Sequence, residues 1–199
     1  EIGIESRGID LTCLPKIDRL TCLRETLFND DPNQALKVNL ERVGSIRLVI
    51  LGDGSPPDFT RIKLIPKVEI EYEDGGSPAP LLHQLRGNHS IKNLSLEFEQ
   101  FKEPFDVAIV NHISVVSIAG LNITSSSPEF VLEGVREMKI SDSIITSFSY
   151  FRNVYHLILR FLKLADQITS YDGLTDLPII EIDKKSYIKD LKGLGNNQK

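Results

Sequence analysis

The chain has 199 residues, enough for one domain with a sizeable core or for one short array of repeats. Its composition, 41% hydrophobic and 26% charged, is that of a folded chain and excludes wholesale disorder. The net charge of −5 and the lack of a basic stripe argue against a nucleic-acid-binding protein, because binding to phosphate needs clustered lysine and arginine.

Near the start of the chain lie its two cysteines, Cys13 and Cys22. They have neither CxxC spacing nor a neighbouring histidine, so a zinc site is not predicted. They either form one disulfide that closes a short loop or remain two reduced thiols. The disulfide is favoured by the glycosylation sequons considered below, because oxidising compartments form such bonds.

An apolar template, apolar-x-x-apolar-x-apolar, recurs eight times along the chain. Its members, in chain order, are Ile17/Leu20/Cys22, Val43/Ile46/Leu48, Ile65/Val68/Ile70, Ile91/Leu94/Leu96, Ile113/Val116/Ile118, Val135/Met138/Ile140, Val154/Leu157/Leu159 and Leu177/Ile180/Ile182. Successive starts lie 19 to 26 residues apart. Each window alternates as a short half-buried strand does. One strand cannot bury its apolar side alone, so the repeats are predicted to stack as parallel strands over a common core.

The segments between the predicted strands are rich in turn-forming residues, as at Gly52–Pro57, Asp74–Pro78 and Ser125–Pro128. A large apolar residue often lies six positions before the next repeat, as at Phe59, Leu85, Phe148 and Tyr171. These side chains are predicted to fill the outer side of the core.

The pattern resembles the leucine-rich-repeat family, whose signature is L-x-x-L-x-L-x-x-N-x-L over roughly 20–29 residues. The resemblance covers residues 17–187 and implies a repeat solenoid of about eight repeats. It implies parallel short strands on the concave face, with irregular loop, 3-10 or short helical returns. Residues 1–16 resemble the N-terminal cap of extracellular members, with a short strand in 9–16 and with Cys13 and Cys22 belonging to the cap. Residues 188–199 are predicted to be a C-terminal cap or tail.

The asparagine of the family signature is missing from every repeat. Eight positions past each start, the sequence has Glu25, Leu51, Glu73, Glu99, Leu121, Ser143, Leu162 and Lys185. In the family that side chain donates and accepts hydrogen bonds with the turning backbone, which Glu, Leu and Lys cannot do in the same way. A right-handed β-helix like the receptor L domain therefore stays open as the alternative fold.

Three N-x-S/T sequons, at Asn88, Asn93 and Asn122, are candidate glycosylation sites. About one is expected by chance, so the mild excess favours a secreted or extracellular protein, with a cytoplasmic one as the alternative. The first residue is Glu1 and not methionine, which fits removal of a signal peptide. No apolar stretch approaches the roughly 18–20 residues that span a bilayer, so no transmembrane segment is predicted.

Catalysis is disfavoured by the pattern of polar residues. The four histidines, His83, His89, His112 and His156, have no paired-ligand spacing. No Gly-x-Ser-x-Gly elbow, glycine-rich phosphate loop or set of nucleophile, base and orienting group is recognisable. The sequence therefore predicts no enzyme, no cofactor and no metal site.

The strand face is the predicted binding surface. The prediction places Ile50, Tyr72 and Phe98 side by side in consecutive repeats, flanked by Glu69, Glu71 and Glu97. Aromatic side chains anchor partners and acidic ones steer a basic partner towards them. The alternative is that Tyr72 and Phe98 pack as core at the strand ends. A second candidate is formed by Ile158, Arg160 and Phe161.

The predicted function is that of a secreted or cell-surface recognition module, which binds a protein ligand or receptor through this face. An intracellular leucine-rich-repeat scaffold or adaptor is the alternative. A glycan on Asn93 would obstruct the face close to Phe98 and would move binding towards residues 135–187 or the loop rim.

Overall fold

The computed structural model describes residues 1–51, 58–62, 64–73, 79–86, 91–98, 104–125, 127, 130–161, 163–164, 173–175 and 177–183. The chain divides into two compact units, residues 1–99 and residues 100–199. Parallel strands form the framework of each unit.

In its described part, unit 1 contains five parallel strands that pair in chain order. They are β1 (Ile2–Ile4), β2 (Leu20–Leu23), β3 (Ser45–Leu51), β4 (Lys67–Glu73) and β5 (Asn93–Phe98). The connections contain the short helices α1 (Arg24–Leu27), α2 (Phe59–Ile62) and α3 (Ala79–Leu85), and a 3-10 turn at Leu40–Arg42. Among the described residues no helix is long and apolar enough to cross a membrane.

Alternation of side chains explains the core of unit 1. In β3 the inward residues Ile46, Leu48 and Ile50 are fully buried, whereas Arg47 and Val49 between them face outward. The register repeats this arrangement across the sheet, since Ile46 pairs with Val68 of β4. Burying one such aliphatic side chain contributes about 1.5–3 kcal/mol, so these rows are the main apolar contribution to the stability of unit 1.

Unit 2 contains two parallel sheets in its described part. Its strands are β6 (Pro104–Asp106), β7 (Val115–Ala119), β8 (Asn122–Thr124), β9 (Glu137–Ser141), β10 (Ile144–Ile145), β11 (His156–Arg160), β12 (Lys163–Leu164) and β13 (Ile179–Ile182). The longer strands pair in the order β7-β9-β11-β13 and the shorter ones in the order β6-β8-β10-β12. Two 3-10 turns, Val107–Val110 and Ser149–Phe151, lie between strands.

A left-handed residue marks the corner between a long and a short strand of unit 2. Gly120, Asp142 and Phe161 follow directly after β7, β9 and β11, with φ angles of 76°, 49° and 51°. Glycine adopts this conformation freely, whereas a residue with a bulky side chain pays about 1–2 kcal/mol. The same left-handed backbone conformation therefore recurs at each corner, and its conformational free-energy cost depends on the residue type.

Polar side chains satisfy the turning backbone of unit 2, among them one at the position eight past its repeat start. Ser143, which occupies that position of its repeat, is buried; its Oγ accepts from the Leu121 N–H at 3.1 Å and donates to the Ser141 carbonyl oxygen at 2.7 Å. Asn111 does similar work from another place, since its Oδ1 accepts from the backbone N–H groups of Glu133 and Gly134. A serine can thus fill the two-way role that Glu, Leu and Lys cannot.

Several predictions about the fold can now be compared with the structure. The fourth and sixth residues of all eight template windows lie on strands, the strands are parallel within each unit, and the returns include short helical and 3-10 turns, as predicted. The strand expected in residues 9–16 is absent there: that segment shows an isolated bridge from Asp10 to Lys37, and the strand lies at Ile2–Ile4 instead. The domain boundaries at residues 16 and 187 stay predictions.

The large apolar residues before the repeats are part of the core, as predicted, where their side chains are described; their place on its outer side stays a prediction. Leu85 and Phe148 are buried, and so is Phe105, which lies near the equivalent position. The side chain of Phe59 and the whole of Tyr171 lie outside the described part, as do the turn segments Gly52–Pro57 and Asp74–Pro78.

Candidate functional site

The predicted aromatic cluster belongs to the core of unit 1. Ile50, Tyr72 and Phe98 are 0%, 2% and 6% exposed, and the rings of Tyr72 and Phe98 stack with centroids 5.0 Å apart. The prediction that these three side chains bind a partner from the surface is wrong, and the packing alternative is correct. The strands β3, β4 and β5 continue beyond the six-residue template. Side chains alternate along a strand, so the residue seven positions past each repeat start faces inward, like the residues three and five positions past it.

The acidic residues predicted beside that cluster do face outward. Glu69 and Glu71 are half-buried, and Glu97 is exposed. They lie on neighbouring strands, because Glu69 pairs in register with Arg47 of β3 and Glu71 pairs with Glu97 of β5. The outward face therefore keeps the predicted carboxylates but lacks the predicted aromatic anchors.

Ion pairs hold the charged side chains in the middle of this face in defined positions. Arg19 Nη2 lies 2.6 Å from Glu69 Oε2, and Lys67 Nζ lies 2.8 Å from the other oxygen of that carboxylate. Arg47 Nε donates to Glu71 Oε2 at 3.0 Å, and this hydrogen bond raises the pKa of the Arg47 guanidinium above its ordinary value. Pairs that share half-buried partners hold each other in place better than isolated surface pairs, which are worth about 0–1 kcal/mol.

Apolar side chains lie on the same face, at the carboxyl ends of β2 and β3. Leu23 and Val49 are half-buried neighbours in register, and the row continues through Glu71 to Glu97. Leu51, two residues after Val49 in β3, is 42% exposed and lies opposite Glu73 of β4 in the register of the sheet. From β2 to β5 the face therefore changes from apolar to acidic.

An open groove runs beside this apolar strip. It has a volume of about 700 Å³ and is lined by Gly3, Ile4, Glu5, Ser6, Thr21, Cys22, Leu23, Val49, Leu51 and Glu73. We call it the carboxyl-end groove. The charged residues in the described part of this lining, Glu5 and Glu73, are both acidic. The groove can accept an apolar group next to a positive charge.

The second predicted cluster is exposed in part. Ile158 is half-buried on the outward side of β11, and Arg160 and Phe161 are exposed, the latter by 42%. Phe161 faces outward although it also lies seven past its repeat start, because β11 ends at Arg160 and the left-handed residue breaks the alternation. The structure therefore places these three residues at the carboxyl end of β11 with accessible side chains, and their binding role stays a prediction.

Polar groups surround a smaller pocket near the start of β11. His156 Nε2 lies 3.0 Å from Glu181 Oε1, and Nδ1 lies 3.8 Å from Glu137 Oε2. The pocket, of about 280 Å³, also includes Ser114, Arg136 and the half-exposed ring of Tyr155. Within the described ranges, no group of three or more histidine, cysteine, aspartate or glutamate residues is placed to hold a metal ion.

Two of the three predicted glycosylation sites can be located. Asn93 is the first residue of β5, half-buried on the outward side beside Lys67. Asn122 is the first residue of β8, and its Oδ1 is buried. Asn88 lies outside the described residues. Glycosylation of these asparagines stays a prediction.

The predicted disulfide between Cys13 and Cys22 is absent, and both cysteines are free. Cys22 is an inward residue of β2, 2% exposed, between Ile4 of β1 and Leu48 of β3, whereas Cys13 is exposed in the preceding turn. The prediction was wrong because the alternation of β2 commits the Cys22 side chain to the core.

The two thiols are expected to react with iodoacetamide at very different rates. Burial raises the pKa of Cys22 to about 12, so very little of it is thiolate near pH 8. We expect rapid alkylation of Cys13 and alkylation of Cys22 at least roughly a hundredfold slower, with both modified after unfolding. Mass spectrometry of the intact protein counts the adducts. A protein that takes up no adduct until it is reduced would contradict two free thiols.

The residues of the carboxyl-end groove were not among the predicted site residues. Leu23, Val49, Leu51 and Glu73 lie on predicted strands, and strict alternation from the buried pair Ile46 and Leu48 marks Val49 and Leu51 as outward. That signal was available in the sequence. Glu5 could not be found in this way, because β1 lies outside the eight repeats.

Comparison with known proteins finds no matching family model, no matching curated protein and no matching solved structure.

Proposed function

We propose that this chain is a recognition module that binds a protein partner through the outward face of unit 1. The observation that carries the proposal is the apolar strip Leu23, Val49 and Leu51, which is accessible to solvent and lies directly beside carboxylates. Apolar side chains grouped at the surface and bordered by polar ones are typical of protein-binding sites.

The ion pairs of the face support this function. Arg19, Arg47 and Lys67 hold Glu69 and Glu71 in defined positions before any partner arrives. Ordering of long side chains is one of the costs of association, so a face that is already ordered binds more tightly for the same contact area.

The fold and compartment of the module are also proposals. Short parallel strands with irregular returns support the leucine-rich-repeat solenoid, and the two-way hydrogen bonding of Ser143 adds to that support. The second parallel sheet of unit 2 favours the alternative β-helix like the receptor L domain. We propose a secreted or cell-surface module on the strength of the sequons.

An intracellular scaffold or adaptor is the second candidate, and one observation favours it. Both cysteines are free, and Cys22 is built into the core as a thiol, as expected in a reducing compartment. This candidate uses the same surface and differs in where the partner is found.

The proposal is tested by affinity capture with the intact protein and two variants. Leu51→Asp places a charge in the apolar strip and is expected to lower the recovery of a specific partner by about tenfold or more. Leu64→Asp is the matched control, because Leu64 is 60% exposed but lies in the turn before β4. Both variants should have the same thermal unfolding midpoint as the wild-type protein.

A protein retained by wild type and Leu64→Asp but lost by Leu51→Asp supports the proposal. Retention of the same proteins in equal amounts by all three forms, or of nothing by the wild type, contradicts it.

A further inference from the structure

The floor of the carboxyl-end groove is made of small residues. Gly3 of β1 pairs in register with Thr21 of β2, and a Cβ atom built on Gly3 would meet nothing within 4 Å. The backbone of β1 is therefore open to the groove at this point. An occupant can approach the strand closely here, which larger side chains would prevent.

The walls of the groove differ in chemistry. Leu23, Val49 and Leu51 provide its apolar side, and Glu5 and Glu73 are the charged side chains among its described lining residues. A volume of about 700 Å³ is in the range of sites that hold several side chains or one small molecule. The apolar side chains extend over the two neighbouring strands β2 and β3, so an extended occupant can contact all three of them.

The charges in and around the groove select a cation. Glu5 and Glu73 form no ion pair with any other described residue. Arg19 and Arg47, two basic side chains of the outward face, already pair with Glu69 and Glu71. Glu97 adds a further exposed carboxylate three strands away from Leu23. An anionic ligand would therefore be repelled, and a guanidinium or ammonium group would be attracted.

We propose that the carboxyl-end groove binds an extended segment of a partner protein in which an arginine or lysine adjoins an apolar residue. The apolar side chain packs on Val49 and Leu51, and the cation pairs with Glu73, which lies beside Leu51 in register, while Glu5 adds negative charge on the β1 side of the groove. Arginine suits this position well, because its planar guanidinium can form two parallel hydrogen bonds with one carboxylate. This inference rests on the proposed function and specifies the partner chemistry.

The test is selection of random eight-residue peptides, displayed on phage, against the intact wild-type protein. The expected consensus has an arginine or lysine next to a large apolar residue. A synthetic, fluorescently labelled copy of the consensus peptide is then titrated with wild type and variants. Its affinity should fall as the salt concentration rises from about 50 mM to about 500 mM, because ions screen the exposed carboxylates.

The decisive variant is the double substitution Glu5→Gln and Glu73→Gln. It keeps the shape of the groove, and we expect about a tenfold loss of affinity, since each exposed charge pair contributes modestly. The matched control is Glu41→Gln with Glu133→Gln, which changes the net charge equally at exposed residues elsewhere. This control should bind like wild type.

Three results would overturn the inference. These are a consensus without a cation, affinity that the Glu5/Glu73 variant leaves unchanged, and a failure of the wild type to enrich any peptide. The proposed function is judged separately by the Leu51→Asp capture experiment. A partner that is lost with Leu51→Asp but binds equally well to the Glu5/Glu73 variant would leave the proposed function standing and reject the cationic segment.

Discussion

Replacing both Tyr72 and Phe98 by alanine is expected to unfold unit 1. The two rings stack at 5.0 Å in the core, and each is almost inaccessible to solvent. Truncation of one such ring costs about 3–5 kcal/mol, through lost apolar burial and the cavity left behind. A small domain has only about 5–15 kcal/mol in total, so the double substitution removes most or all of the stability.

The matched control for this experiment is Tyr72→Phe. The Tyr72 hydroxyl is buried and has no hydrogen-bond partner within the described part, and burial raises the pKa of Tyr72 to about 12. Loss of an unsatisfied buried hydroxyl leaves the ring packing intact, so the free energy of unfolding should stay the same or increase. Urea titration followed by circular dichroism measures both variants. A double-alanine variant that unfolds at the wild-type urea midpoint would show that the rings are not core.

Gly134→Ala is expected to destabilise unit 2 by about 3 kcal/mol. A Cβ atom on Gly134 would lie 1.9 Å from the backbone oxygen of Asn111, so one of the two backbones has to move. Movement breaks further contacts, because Asn111 Oδ1 accepts from the N–H groups of Glu133 and Gly134 at 2.7 Å and 3.2 Å. The substitution therefore combines a steric clash with unsatisfied backbone groups.

Gly3→Ala is the matched control, because it adds the same methyl group at a position where there is room for it. No atom lies within 4 Å of the added methyl group, so the change in the free energy of unfolding should stay within about 0.5 kcal/mol. Chemical denaturation of both variants gives the comparison. Equal midpoints for Gly134→Ala and wild type would mean that the approach of Asn111 to Gly134 is not as close as the structure has it.

The apolar periodicity of the sequence was sufficient to predict the longer strands of both units. Windows such as Ile91/Leu94/Leu96 specify both the strand and its buried side, because a residue on a half-buried strand is either inward or outward. The second sheet of unit 2 was missed because its strands have only two or three residues, too few to show alternation. The side chains that these short strands bury, such as Ile123 and Ile145, lie outside the eight template windows.

The candidate site was harder to predict than the fold. The strand face and its carboxylates Glu69, Glu71 and Glu97 follow from the repeat, but the anchor residues depend on where each strand ends. Tyr72 is core because β4 continues to Glu73, while Phe161 is exposed because β11 stops one residue before it. Strand ends depend on tertiary contacts, which local sequence patterns do not encode.

The left-handed corners of unit 2 determine where its repeats can change in length. Two residues separate β7 from β8, and two residues separate β9 from β10, so the length of the corner determines which residues of each short strand face the core. One extra residue in such a corner would turn Ile123 or Ile145 from the core towards water. Gly120, Asp142 and Phe161 are nevertheless unequally spaced along the chain, so the length difference is absorbed between a short strand and the next long one. Insertions acquired during evolution would accumulate in those stretches and spare the corners.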